Sequence, residues 1–122
     1  MAQLIELPTI NRRVIYITPK KPFFEWINEL DSEDPINEEN FLERTAYAYS
    51  DDTYFMDRSS METVMQKYYT EIFENELAGM WIDTKAWPKD RSWAEFNKWF
   101  DWEIAGLLFD LETGILEKED EE

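Results

Sequence analysis

Arg12-Arg-Val-Ile-Tyr-Ile-Thr18 is a β-branched and aromatic run closed by Pro19. Apolar side chains fall on both parities, which predicts a strand near the centre of a sheet or covered on both faces. Moving outward, Pro22 suits the first turn of a helix, where a missing N–H costs nothing. Phe23, Trp26, Ile27 and Leu30 then recur at helical spacing. Asp31-Ser-Glu-Asp-Pro35 is polar and proline-terminated, so the helix should stop near Leu30. Asn37 is placed to cap a short helix through Glu43 that buries Phe41 and Leu42. Thr45-Ala-Tyr-Ala-Tyr49 alternates with the period of a strand, and its small alanine face could lie under a helix.

A long helix follows. Ser59 and Glu62 have the Ser-x-x-Glu spacing of a capping box. Val64, Met65, Tyr68, Ile72 and Met80 continue an apolar stripe widened by Tyr69, Phe73 and Leu77, and Gly79 marks its end. Ser92 and Glu95 repeat the capping spacing before Trp93, Phe96, Trp99 and Phe100. Ile104 to Leu111 reads as a last strand, with Ala105, Leu107, Phe109 and Leu111 on one face and Ile104 and Leu108 on the other. The expectation is an α+β fold in the order β-α-α-β-α-α-β. A small antiparallel three-stranded sheet packs against a layer of three to four helices. Its expected core includes Trp26, Ile72, Phe73, Trp93, Phe96, Trp99, Phe100 and Phe109. Residues 12–116 form the single domain, 1–11 an N-terminal extension and 117–122 an acidic tail.

Composition narrows the chemistry. The chain has 122 residues, 43% of them hydrophobic and 16% aromatic, enough for one real core. It contains no cysteine and no histidine. Disulfides, thiolate metal sites and cysteine nucleophiles are thereby excluded, as are imidazole bases, ligands and pH switches. The 28 acidic and 12 basic residues give a net charge of −16, which repels nucleic acid and anionic membranes and steers toward a basic partner. The N-terminal residues do not read as a signal peptide, and no apolar stretch is long enough to span a membrane. The expected location is the cytoplasm.

Three glycines, Gly79, Gly106 and Gly114, are too far apart for a phosphate-binding loop. The acid-dense segment from Asp31 has Pro35 and Ile36 where a calcium loop needs an oxygen ligand and then a glycine. No cofactor or metal is expected. Carboxylates remain the one catalytic resource. Asp101, Glu103 and Asp110 border or occupy the last strand, and Glu71, Glu74 and Glu76 lie on the long helix. An acid–base pair among them would have to converge across a cleft.

Five of the six tryptophans lie between Trp81 and Trp102. Trp93 and Trp99 follow the helical stripe and belong to the core. Trp81 and Trp87 sit in a connection, where aromatics serve recognition as well as packing. Arg91 could lock that loop onto the next helix by pairing with a carboxylate such as Asp101, or could bind an anion. Trp81, Trp87 and Arg91 are therefore the candidate partner-binding residues.

Thr18-Pro-Lys-Lys-Pro-Phe-Phe-Glu-Trp26, Ile72-Phe-Glu-Asn-Glu-Leu77, Trp87-Pro-Lys-Asp-Arg91 and Phe96-Asn-Lys-Trp-Phe-Asp101 resemble a group of small acidic bacterial proteins of unknown function. The resemblance spans roughly Arg13 to Leu111 and implies a shared cytoplasmic fold, with no catalytic residues to carry over. The leading expectation is a non-catalytic interaction or accessory protein, binding a protein partner through its acidic surface and the Trp81–Arg91 loop. Alternatives are a nucleic-acid mimic that occupies a basic partner, and a carboxylate-dependent enzyme, with or without magnesium. A homodimer would require an exposed apolar edge or face.

Overall fold

The structure is a computed structural model that describes residues 6–119; the first part of the N-terminal extension and the end of the acidic tail lie outside the described residues. The fold is α+β. Strand β1 (Arg13–Pro19) leads into helix α1 (Lys21–Leu30), then strand β2 (Thr45–Tyr49), the long helix α2 (Arg58–Met80), helix α3 (Trp93–Trp99) and strand β3 (Phe100–Ala105). The three strands form one antiparallel sheet in the order β2-β1-β3, so the run that opens the fold is its central strand.

The registers show which way each strand faces. Ile15 lies between Tyr47 and Ile104, and Ile17 between Thr45 and Trp102. These residues, with Pro19 and Phe100, form the inner face. The opposite face carries Tyr16, Thr18, Ala46, Ala48, Asp101 and Glu103, all exposed. Tyr16 at the centre of the sheet is 49% exposed. Central position is therefore right for β1, but only one face is covered, apart from a buried Val14. The alanines of β2 belong to the open face, and it is Tyr47 and Tyr49 that turn toward α2. Large rings reach across to the helix; an alanine could not fill that distance.

The core is built from aromatic contacts between the inner face and three helices. Phe73 of α2 meets Phe96, Trp99 and Phe100 with ring centroids 5.4 to 5.8 Å apart. Phe23 of α1 meets Trp99 and Phe100, and Tyr69 meets Trp93 and Phe96. Offset and edge-on pairs of this kind add to the burial of each ring. Ile72, Phe73, Phe96, Trp99 and Phe100 are buried, while Trp26 and Trp93 are partly buried against them.

Four expectations change. The segment from Asn37 to Glu43 forms one turn, closed by the Phe41 N–H to the Asn37 carbonyl, and no helix; Asn37 does cap that turn, accepting from the Glu39 and Asn40 N–H groups, but Leu42 is exposed. Helix α2 begins earlier than Ser59. Asp57 caps it, accepting from the Ser60 N–H while the Ser60 hydroxyl serves the Asp57 N–H. Strand β3 starts at Phe100, directly out of α3, and ends at Ala105.

Phe109 is the fourth correction: it lies outside the core at 49% exposure. Past Gly106 the chain leaves the sheet and pairs with residues 8–10 through Ile10 N–H to Leu108 C=O and Asp110 N–H to Pro8 C=O. Phe109 also shares parity with Asp101 and Glu103, the open side of β3. The core side is held by Trp102, which is buried and donates its indole N–H to Asn97 Oδ1 at 2.9 Å.

Candidate functional site

The loop after α2 is bound inward. Asp83 caps a single 3₁₀ turn (Thr84–Ala86), and the Trp87 indole N–H donates to the Trp81 carbonyl at 2.7 Å. The Trp26 indole N–H reaches over from α1 to the Ala86 carbonyl at 2.8 Å. Trp81 and Trp87 are half-buried, and Trp87 packs on the core. Arg91 does hold the loop, but through the Pro88 carbonyl at 2.7 Å and Glu74 at 3.9 Å, not through Asp101. The large apolar side chain this loop offers to solvent is Ile82, 86% exposed.

Asp101 pairs with Lys20 at 3.5 Å and Glu103 with Arg58 at 3.4 Å, while Asp110 accepts from the Glu112 N–H. Asp101 shares an open surface hollow with Glu38, and Lys20, Lys21, Arg44 and Lys98 stand in the same lining. Among the described residues no group of three or more acidic side chains is arranged to hold a metal ion, and no helix is long and apolar enough to cross a membrane.

A concavity lies between β2 and α2, and of the carboxylates singled out in the sequence it brings Glu71 and Glu76 to one seam. A groove of about 510 Å³ is lined by Tyr47, Tyr49, Tyr68, Glu71, Ile72 and Asn75 among others. A second hollow of about 260 Å³ continues along the same seam past Asn75 to Thr45, Glu76 and Gly79. Between them the Tyr47 hydroxyl donates to Glu76 at 2.5 Å and accepts from the Asn75 amide at 3.0 Å. Burial pushes both Tyr47 and Glu76 above their ordinary pKa values, and the Glu76 carboxylate reinforces the shift on Tyr47.

Tyr49 is 5% exposed, and its hydroxyl has no hydrogen-bond partner among the described residues. Burial raises its pKa, with the nearby Arg13 guanidinium opposing that shift. At the end of β2, Asp51 is held well below the usual carboxylate range by Lys67 and by hydrogen bonds from Thr53.

The two edges of the sheet differ. The Lys20 N–H donates to the Trp99 carbonyl in line with the β1–β3 register. Even-numbered residues of β1 therefore turn their peptide groups to β3 and odd-numbered ones to β2. On β3 the outward carbonyl of Trp102 accepts from Arg58 at 3.3 Å, and the Phe100 N–H is taken by Phe96. On β2 the outward peptide groups are those of Ala46 and Ala48, and nothing among the described residues bonds to them. An uncovered edge is a template for another strand.

No protein-family model, curated protein or solved structure matches this chain.

Proposed function

We propose that this chain is a non-catalytic cytoplasmic interaction protein that captures a basic protein partner. Its charge carries this reading. The net −16 is left largely uncompensated at the surface, since ion pairs among the described residues engage Glu25, Asp51, Glu74, Glu95, Asp101 and Glu103 alone. A field of one sign raises the encounter rate with an oppositely charged partner and screens away with salt. The inward-tied Trp81–Arg91 loop offers a firm border to such a contact, chiefly through Ile82.

The test is capture of purified, lysine-rich proteins on the immobilised chain at about 0.02 and about 0.3 M salt. Retention at low salt and release at high salt is expected. Competition by DNA would narrow the partner to a nucleic-acid-binding protein. Capture that ignores salt, or no capture of any basic protein, sinks the proposal. Trp81→Ala and Trp87→Ala variants that capture as well as the parent would remove the loop from the contact surface.

A further inference from the structure

We propose that the β2 edge binds an extended, lysine- or arginine-bearing segment of the partner as a fourth strand, seated between β2 and α2; this rests on the function proposed above. Three independent observations converge on this seam. The peptide groups of Ala46 and Ala48 face outward with no bond among the described residues, whereas on the other edge Arg58 takes the Trp102 carbonyl and α3 the Phe100 N–H. The groove beside that edge is already formed, and its wall has rings and apolar surface for alternate side chains of an added strand. The buried Tyr49 hydroxyl borders the groove with no hydrogen-bond partner among the described residues, although the Arg13 guanidinium lies near it.

Charge selects the occupant. Glu71 stands on the groove wall, and Glu43 and Asp52 lie at the two ends of β2; none of the three is in an ion pair among the described residues. Of the nearby cations, Arg12 on the groove wall is turned to the Asn11 carbonyl, Arg13 to the Thr53 carbonyl, Arg44 to the Phe41 and Glu43 carbonyls and Lys67 to Asp51. An added strand with cationic side chains would meet these free carboxylates while its backbone completes the ladder. A second copy would bring its own net charge of −16 to the same edge, which opposes pairing of two β2 strands.

The parity of the ladder supplies a clean test. The N–H of Ala46 makes no bond to β1, so Ala46→Pro removes an outward donor and leaves the β1–β2 bonds in place. Ala46→Val keeps the donor. The probes are fluorescent ten-residue peptides of alternating lysine and valine, and of alternating lysine and proline, which carry equal charge but differ in ability to form a strand.

Lysine–valine binding should slow hydrogen exchange at the Ala46 and Ala48 amides. It should weaken at least about tenfold in Ala46→Pro and little in Ala46→Val. The lysine–proline peptide should bind more weakly and protect neither amide. If both peptides bind alike at low salt and neither amide is protected, the edge is overturned while charge-driven capture stands. If neither peptide binds, both readings fall. Protection of the two amides in the free chain, with a dimer in light scattering, would assign the edge to a second copy and overturn the occupant proposed. Should Ala46→Pro fail to fold, amide protection in the parent chain decides by itself.

Discussion

The Arg58 guanidinium lies over the Trp102 ring, 3.8 Å from its centroid, and donates to the carbonyl of the same residue at 3.3 Å. One side chain thus joins the start of α2 to the outer edge of β3. The attraction to the ring and the hydrogen bond outweigh the exposed pairing with Glu103, which is screened by water. Arg58→Ala should cost about 1–2 kcal/mol in urea denaturation. Arg58→Lys should recover only part of that, since an ammonium cannot both stack and fork. Full recovery by lysine would mean that charge alone matters.

Phe73 is fully buried and touches rings from both α3 and β3. Phe73→Ala should cost about 3–5 kcal/mol, a large share of the roughly 5–15 kcal/mol that holds a domain together. Phe73→Leu should cost about 1–1.5 kcal/mol. Thermal melts of the two variants check the order, and near-equal losses would show that the site collapses around the smaller residue.

Asp57, not Ser59, caps α2. Asp57→Ala should therefore lose about 1 kcal/mol. Ser59→Ala should stay within about 0.5 kcal/mol of the parent, because the bond at that position uses the Ser59 backbone carbonyl. The reverse ranking in urea denaturation would move the start of the helix.

Stability should depend on pH at both extremes, in directions set by which state holds the proton. Tyr47 is raised above its ordinary 10.0, so above that pH the unfolded chain loses a proton the folded chain keeps, and stability falls as pH rises. Asp51 is lowered from 3.8, so its contribution is present above that value and is lost as pH falls below it. Glu76 is raised from 4.5, so stability declines with rising pH just above 4.5. Tyr47→Phe should flatten the alkaline limb, Asp51→Asn the acid limb, and Glu76→Gln the decline above 4.5. Denaturation midpoints across the pH range test all three; limbs unchanged in the variants would assign the titrations elsewhere.

Local signals in the chain are reliable where a short stretch decides its own conformation. Thr45–Tyr49 alternates and is a strand, and Ser92 accepts from the Glu95 N–H as its spacing foretells. They mislead where a distant element decides. The alternation of Ala105, Leu107, Phe109 and Leu111 has strand period, but the partner available to Phe109 is Thr9 rather than β1. The face of β3 that meets the core is fixed by pairing with Ile15 and Ile17, which no window around Trp102 contains. The α+β class and most core rings could be read from periodicity. The β2–α2 groove could not, because it exists only once strand order has put β2 at an edge and α2 beside it.

The placement of β1 at the middle of the sheet has a consequence for how the chain is made. During synthesis this apolar strand emerges well before β3, the partner on one of its sides. Until β3 follows, half of its ladder has nothing to bind, the condition under which nascent strands associate with each other. Arg12 and Arg13 before it and Lys20 and Lys21 after it put positive charge at both ends of that waiting segment. In a chain so rich in acid, these four cations act as gatekeepers for a strand that is born long before its neighbour.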